Sequence, residues 1–107
     1  MVINMADDEF DTSLPFFAYG IFKPGQLAYH IIEDYVIEKE EETINWISFY
    51  RDGIPILVGE SKRFKTKGYL LSFNNPEAYE KINEFKLMLL YFWKEIRIGD
   101  GMVNVLL

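Results

Sequence analysis

A short apolar run that ends in a glycine turn sets the strongest constraint on the fold. Phe16 to Tyr19 carries no charge and is largely aromatic, which predicts a buried strand, because the run is too short for a helix. Gly20 then allows a tight turn, and Pro24-Gly25 supplies a second turn signal. We call residues 19–25 the elbow loop. Such a loop presents backbone N–H groups to one point in space, an arrangement that suits a carboxylate or a phosphate.

The first half of the chain continues with a predicted helix from Gln26 to about Ile37, where apolar residues recur at nearly helical intervals. The acidic run Glu38 to Glu42 is interpreted as solvent-facing, at the end of this helix or at the start of the next strand. Met1 to Leu14 is predicted to be a flexible acidic N-terminal arm, and residues 15–107 are predicted to form one domain.

In the second half of the chain, we predict a strand wherever β-branched and aromatic residues lie between turn signals. These strands cover residues 43–50, 54–58, 67–73, 91–98 and 102–107. A second helix is predicted after Asn74-Asn75-Pro76-Glu77, with asparagine as its cap and with Ala78, Ile82 and Phe85 on its inward face. The elements do not alternate between strand and helix, so the predicted class is α+β.

Composition excludes several classes of function. A formal net charge of −6 argues against nucleic acid as a partner, because binding to phosphates depends on Lys and Arg. The chain has no cysteine and one histidine, His30, so we expect no disulfide, no metal site and no cofactor. No apolar run is long enough to span a membrane, and the N-terminus does not read as a signal peptide. These features predict a cytoplasmic protein that does not bind membranes.

The elbow loop carries a resemblance to a known family. Its sequence, Tyr19-Gly20-Ile21-Phe22-Lys23-Pro24-Gly25, resembles the opening motif of the gamma-glutamylcyclotransferase-like family, although Ile21 and Phe22 depart from the family's usual small polar residue and Leu. Two later segments, Gly53-Ile54-Pro55-Ile56 and Gly68-Tyr69-Leu70, are also similar to that family. The resemblance implies a small mixed-sheet β-barrel with two helices packed outside.

The family's reaction is an intramolecular aminolysis. The α-amine of a γ-glutamyl group attacks its own side-chain amide carbonyl, which forms 5-oxoproline and expels an amine. A base must take the proton of the attacking amine, and backbone donors must stabilise the oxyanion. The resemblance implies that this base is a Glu at the end of the second helix. It also implies a substrate site formed by Tyr19, Gly20, Ile21, Phe22 and Tyr91.

The position of the family's Glu is occupied here by Lys86, if the two sequences are aligned on Phe85. A lysine with a pKa of about 10.4 is almost fully charged at neutral pH, so it is a poor base, and it repels the ammonium group of the substrate. Glu84 is the remaining candidate catalytic residue, although a step of two residues turns it about 200° around the helix. Lys86 would instead attract an anion and belongs among the candidate substrate-binding residues.

We therefore expect a catalytically impaired gamma-glutamylcyclotransferase-like protein that binds a small anionic ligand at the Tyr19-Gly20 loop. The ligand is γ-glutamyl-like or another carboxylate. The alternative is an active cyclotransferase that releases 5-oxoproline from γ-glutamyl amines. The sequence leaves open whether the chain is an enzyme, which ligand it binds and its oligomeric state.

Overall fold

The chain forms a small mixed α+β fold. A computed structural model describes residues 11–51, 53–89 and 92–107, except for the side chains of residues 86–89. Within these ranges the strands are β1 Phe16–Ala18, β2 Val36–Ile44, β3 Trp46–Arg51, β4 Ile54–Glu60, β5 Thr66–Phe73, β6 Trp93–Ile98 and β7 Gly101–Leu106, and the α-helix is α1 Glu77–Leu89. No helix in the same ranges is long and apolar enough to cross a membrane.

Five strands form a mixed sheet in the order β2-β5-β1-β7-β6, while β3 and β4 pair as a separate hairpin. β1 lies at the centre of the sheet, antiparallel to β5 and parallel to β7. Its residues Phe16, Phe17 and Ala18 are all buried, as expected for a strand that is covered on both faces. The predicted first strand is therefore confirmed.

The five-stranded sheet is open, which corrects the expectation of a closed barrel with two outer helices. β2 and β6 are its two edges, and no ladder joins them in the described residues, which contain one α-helix. Both edge strands are rich in charge, with Glu38 to Glu42 in β2 and Lys94, Glu95 and Arg97 in β6. Charged side chains of this kind keep a strand edge solvated and disfavour further pairing.

The sheet separates two apolar clusters, because successive side chains of a strand point to opposite faces. On one face, α1 and the loop before β2 cover the sheet; the buried residues there include Phe16, Ala18, Ile32, Leu71, Ala78, Tyr79 and Ile82. The cluster on the other face includes Leu57 of the β3–β4 hairpin, and Ile54 and Ile56 of the same hairpin pack against the first cluster. The other buried residues of the second cluster include Phe17, Tyr19, Ile44, Val103 and Val105. The elbow loop leaves β1 between these two clusters.

The predicted helix over Gln26 to Ile37 is wrong. Two short 3₁₀ turns, Tyr29–Ile31 and Glu33–Tyr35, occupy this segment, and β2 already begins at Val36. Val36 pairs with Phe73 of β5, so the backbone at the end of the segment is held in an extended conformation. The β-branched Ile and Val residues also weaken the preference for a helix.

The later strands agree with prediction in type and differ in their bounds. The acidic run Glu38 to Glu42 lies within β2, which settles the alternative left open by the sequence. The strand predicted over 43–50 is divided at Asn45 between β2 and β3. At the predicted Asp-Gly turn, Gly53 has φ of +83°, the left-handed region that glycine adopts readily, while Asp52 lies outside the described residues.

The predicted start and buried face of α1 are confirmed. The Oδ1 atom of Asn75 accepts a hydrogen bond from the Glu77 N–H at 2.8 Å, as a helix cap should. Ala78 and Ile82 are fully buried, and Phe85 packs against the same apolar cluster.

Residues 11–14, which the sequence analysis placed in the flexible arm, are bonded to the domain. Asn104 of β7 is fully buried, and its Nδ2 donates to the Asp11 carbonyl at 2.8 Å and to the Tyr79 hydroxyl at 3.0 Å. That hydroxyl in turn donates to the Leu14 carbonyl at 2.6 Å. The folded domain therefore includes residues 11–14, and the rest of the predicted arm lies outside the described residues.

Candidate functional site

The elbow loop is a series of backbone turns attached to the end of β1. The Lys23 N–H donates to the Gly20 carbonyl at 3.0 Å, and the Ala28 N–H donates to the Ile21 carbonyl at 2.8 Å. Gly25 has φ of +84°, which a side chain would make costly. These contacts hold the loop in one conformation beside the central strand.

Three successive backbone N–H groups of the elbow loop, on Gly20, Ile21 and Phe22, donate to no acceptor in the described part of the chain. Consecutive N–H groups in a turn form a concave site for an anion, because their partial positive charges converge. The predicted convergence of these donors on an anion stays a prediction. The side chain of Lys23, half-buried next to these groups, brings a positive charge to the same loop.

A cavity of about 10 Å³ lies beside these N–H groups, lined by β1, the first part of the elbow loop and Leu106. A cavity needs about 10–15 Å³ to hold one water molecule, whereas pockets for small-molecule ligands measure about 300–1,000 Å³. The cavity therefore has room for one oxygen atom.

Aromatic packing explains why the cavity is so small. The ring of Phe22 meets the ring of Phe85 edge to face, with centroids 5.6 Å apart, and it meets Phe16 in the same way at 5.9 Å. Phe22 is only 3% exposed. The contact with Phe85 brings the elbow loop against the C-terminal half of α1, the pair of elements that the family resemblance requires to meet.

The hydroxyl of Tyr19, a predicted substrate-binding residue, makes hydrogen bonds within the protein. Its hydroxyl donates to the Leu106 carbonyl at 2.6 Å and accepts from the Leu57 N–H at 3.0 Å. Both bonds are buried, and they tie the β3–β4 hairpin to the end of β7. Nothing in the local sequence signals this long-range role.

The remaining predicted site residues are Glu84, which is exposed to solvent, and Lys86 and Tyr91, which the structure does not describe in full. Glu84 is exposed on α1, whereas Ile82 is fully buried, so the carboxylate projects from the solvent side of the helix, as the 200° step implied. This placement lends no support to a catalytic role for Glu84. The side chain of Lys86 and the whole of Tyr91 lie outside the described residues, so their predicted roles stay predictions.

Close contacts at Gly20 and Gly68 show how the two later segments that resemble the family, 53–56 and 68–70, pack against the elbow loop and β1. A Cβ atom at Gly20 would lie 3.5 Å from Cβ of Pro55, so the β3–β4 hairpin packs directly on the elbow loop. A Cβ atom at Gly68 would lie 2.4 Å from the Ala18 carbonyl oxygen and 2.8 Å from the ring of Phe17. β5 can approach β1 this closely only because residue 68 is glycine.

A larger groove of about 420 Å³ adjoins the elbow loop and was not anticipated from the sequence. It is lined by Lys23, Glu41, Glu42, Thr43, Lys67, Gly68 and Tyr69. The two lysines attract an anion, and the two glutamates oppose it. The groove meets the elbow loop at Lys23, which directly follows the three N–H groups that have no acceptor in the described part of the chain.

Comparisons with known proteins support the fold and leave the family untested. No protein-family model matches the chain, and no curated protein matches it. The fold is similar to the crystal structure of the uncharacterized protein PH0828 from Pyrococcus horikoshii, with a TM-score of 0.66 at 20% sequence identity. The match covers 88% of this chain and 76% of that one. At this identity the similarity shows the fold alone.

Proposed function

We propose that this chain is a gamma-glutamylcyclotransferase-like protein that binds a small anionic ligand, γ-glutamyl-like or another carboxylate, at the Tyr19-Gly20 loop. The observation that carries the proposal is the row of N–H groups on Gly20, Ile21 and Phe22, which have no acceptor among the described residues and belong to residues that line a small cavity. A hydrogen bond from an N–H to a carboxylate is about twice as strong as a neutral one.

The contact between Phe22 and Phe85 supports the family part of the proposal. In the family, the loop after the first strand and the end of the helix share one site, and here the two elements touch. The residue after Phe85 is Lys86, at the family's Glu position. A ligand held by the elbow loop is then close to the helix end that bears this charge.

Impaired catalysis follows from the chemistry of the same position. The attacking α-amine must lose a proton, and a charged lysine cannot accept it. Glu84, the other candidate base, is exposed on the far side of α1 from Ile82. We expect the protein to bind γ-glutamyl compounds or other carboxylates without cyclising them efficiently.

Ligand binding is tested by NMR titration of ¹⁵N-labelled protein with acetate, glutamate, a γ-glutamyl amino acid and inorganic phosphate. The expected result is saturable shifts of the Gly20, Ile21 and Phe22 amides at millimolar ligand, with the Gly59 amide unchanged. Lys23→Gln should weaken binding about fivefold, close to 1 kcal/mol. Lys62→Gln, an exposed loop lysine, should not change it. No response from the three elbow amides would refute the proposal.

Catalysis is tested by measuring 5-oxoproline released from a panel of γ-glutamyl amines. We expect no release from the natural protein and measurable release from Lys86→Glu. Release by the natural protein that is abolished in Glu84→Gln would favour the alternative, an active cyclotransferase.

A further inference from the structure

The outer edge of β3 is the least protected strand edge in the described residues. β2 carries five consecutive charged residues, Glu38 to Glu42, and three of the six residues of β6 are charged. β3, in contrast, reads Trp-Ile-Ser-Phe-Tyr-Arg and contains no acidic residue. Natural proteins place charges on edge strands to prevent pairing with another chain, and β3 has one charged residue, Arg51, at its end.

The other edge of the hairpin is already occupied. On β4, the Leu57 N–H donates to the Tyr19 hydroxyl at 3.0 Å. Pro55 has no N–H to offer, and it packs against Gly20. The elbow loop therefore occupies the outer edge of β4 at Pro55 and Leu57, which leaves β3 as the strand through which the hairpin can extend.

The pairing within the hairpin shows which groups of β3 face outward. Leu57 is paired with Ser48, and Pro55 with Tyr50. Because the Leu57 N–H points away from β3, these are non-hydrogen-bonded pairs, in which the N–H and C=O groups of both residues point away from the partner strand. Ser48 and Tyr50 thus direct N–H and C=O groups to the open edge, and the described residues supply them no partner.

Two successive residues of β3 have large aromatic side chains that are exposed. Phe49 is 54% exposed and Tyr50 is 77% exposed. The beginning of β3 is covered, since the Trp46 carbonyl accepts from Thr66 Oγ1 at 2.8 Å, and the open edge runs from Ile47 onward. A two-stranded sheet is marginal by itself, and further strands stabilise it.

We propose that two copies of this chain pair through β3, antiparallel and about a two-fold axis. Ser48 of each copy exchanges both backbone hydrogen bonds with Tyr50 of the other, and Phe49 lies opposite Phe49 on the axis. Such an interface is its own complement, as two-fold symmetry requires. Pairing through β3 places no acidic residues of the two strands opposite each other, which favours association in a chain of net charge −6. Pairing of β2 with a second β2 would place glutamates next to glutamates.

The test is the mass of the protein in solution, measured by sedimentation equilibrium over a range of concentrations. The expected result is a species of twice the 12.6 kDa chain mass. Tyr50→Lys should convert it to the monomer. Val58→Lys is the matched control, because Val58 is also exposed, at 55%, but lies on β4, and it should leave the dimer intact. Circular dichroism confirms that each variant is folded.

The alignment of the two strands is tested by cross-linking, since the chain has no cysteine of its own. Phe49→Cys should form a disulfide-linked dimer under mild oxidation, because residues in a non-hydrogen-bonded pair have Cα atoms about 4.5 Å apart, within disulfide range. Val58→Cys should not. A natural protein that is monomeric at all concentrations overturns the proposal. Equal dissociation by both lysine variants, or equal cross-linking by both cysteine variants, does so as well.

Discussion

Replacement of Tyr19 by Phe separates a structural role of this residue from the predicted ligand contact. The substitution removes one oxygen atom and leaves the ring in place. Two buried groups then lose their partner: the Leu106 carbonyl, which accepts from the hydroxyl at 2.6 Å, and the Leu57 N–H, which donates to it at 3.0 Å. These two groups belong to β7 and β4, so the variant loosens the hairpin from the sheet.

The expected loss of stability follows from these two bonds. A buried polar group left without a partner costs about 1–3 kcal/mol, so two such groups lower the free energy of unfolding by about 3 kcal/mol. A domain of this size has a total of about 5–15 kcal/mol. The melting temperature should fall by about 12–24 °C, at about 4–8 °C for each kcal/mol.

Urea denaturation followed by tryptophan fluorescence measures this loss as a lower midpoint at unchanged slope. The matched control is Tyr50→Phe, because Tyr50 is 77% exposed and loss of its hydroxyl should change stability by less than about 0.5 kcal/mol. If Tyr19→Phe were as stable as the natural protein, the two hydrogen bonds would not hold the hairpin as inferred. The predicted contact of the Tyr19 hydroxyl with a ligand would then become the better interpretation.

Three further predictions concern packing, pH and helix capping. Gly68→Ala should lower the free energy of unfolding by about 2 kcal/mol or more, because its Cβ would lie too close to the Ala18 carbonyl oxygen. The control is Gly59→Ala, since residue 59 has open space around it. It should lower the free energy of unfolding far less in the same urea titration. Burial raises the pKa of Tyr79 above its ordinary value of 10.0, so the unfolded state loses its proton first. The stability that Tyr79 contributes is fully present below pH 10.0 and declines above it. Between pH 8 and pH 11, the free energy of unfolding should therefore decline more steeply for the natural protein than for Tyr79→Phe. Asn75→Ala should cost about 1 kcal/mol by removing the cap of α1, and an equal midpoint in urea would contradict that role.

Features that depend on neighbouring residues could be predicted from the sequence. The uncharged run at Phe16 is a buried strand, and Gly25 adopts a positive φ within the turn that follows. Asn75 caps the helix that it was expected to cap, and Ile82 is buried on the predicted face. In each case the controlling interaction lies within a few residues of the pattern that signalled it.

The failed predictions depended on partners distant in the chain. The segment after Gln26 has nearly helical spacing, yet its end is extended because Val36 pairs with Phe73. Closure of the sheet into a barrel would require β2 and β6 to meet, and the charges of each strand give no information about its distance from the other. The arm was expected to be free, but the Asp11 carbonyl accepts from Asn104.

The same distinction between short-range and long-range interactions applies to the candidate site. The sequence by itself indicated a buried strand that runs into a turn beginning at Gly20, because burial patterns and turn preferences act over short distances. Only the tertiary structure decided that Phe85 packs on Phe22, one of the residues that line the cavity of about 10 Å³. It also decided that the Tyr19 hydroxyl bonds to Leu106, 87 residues away. Packing of side chains and the choice of distant hydrogen-bond partners depend on the whole fold, which no local pattern encodes.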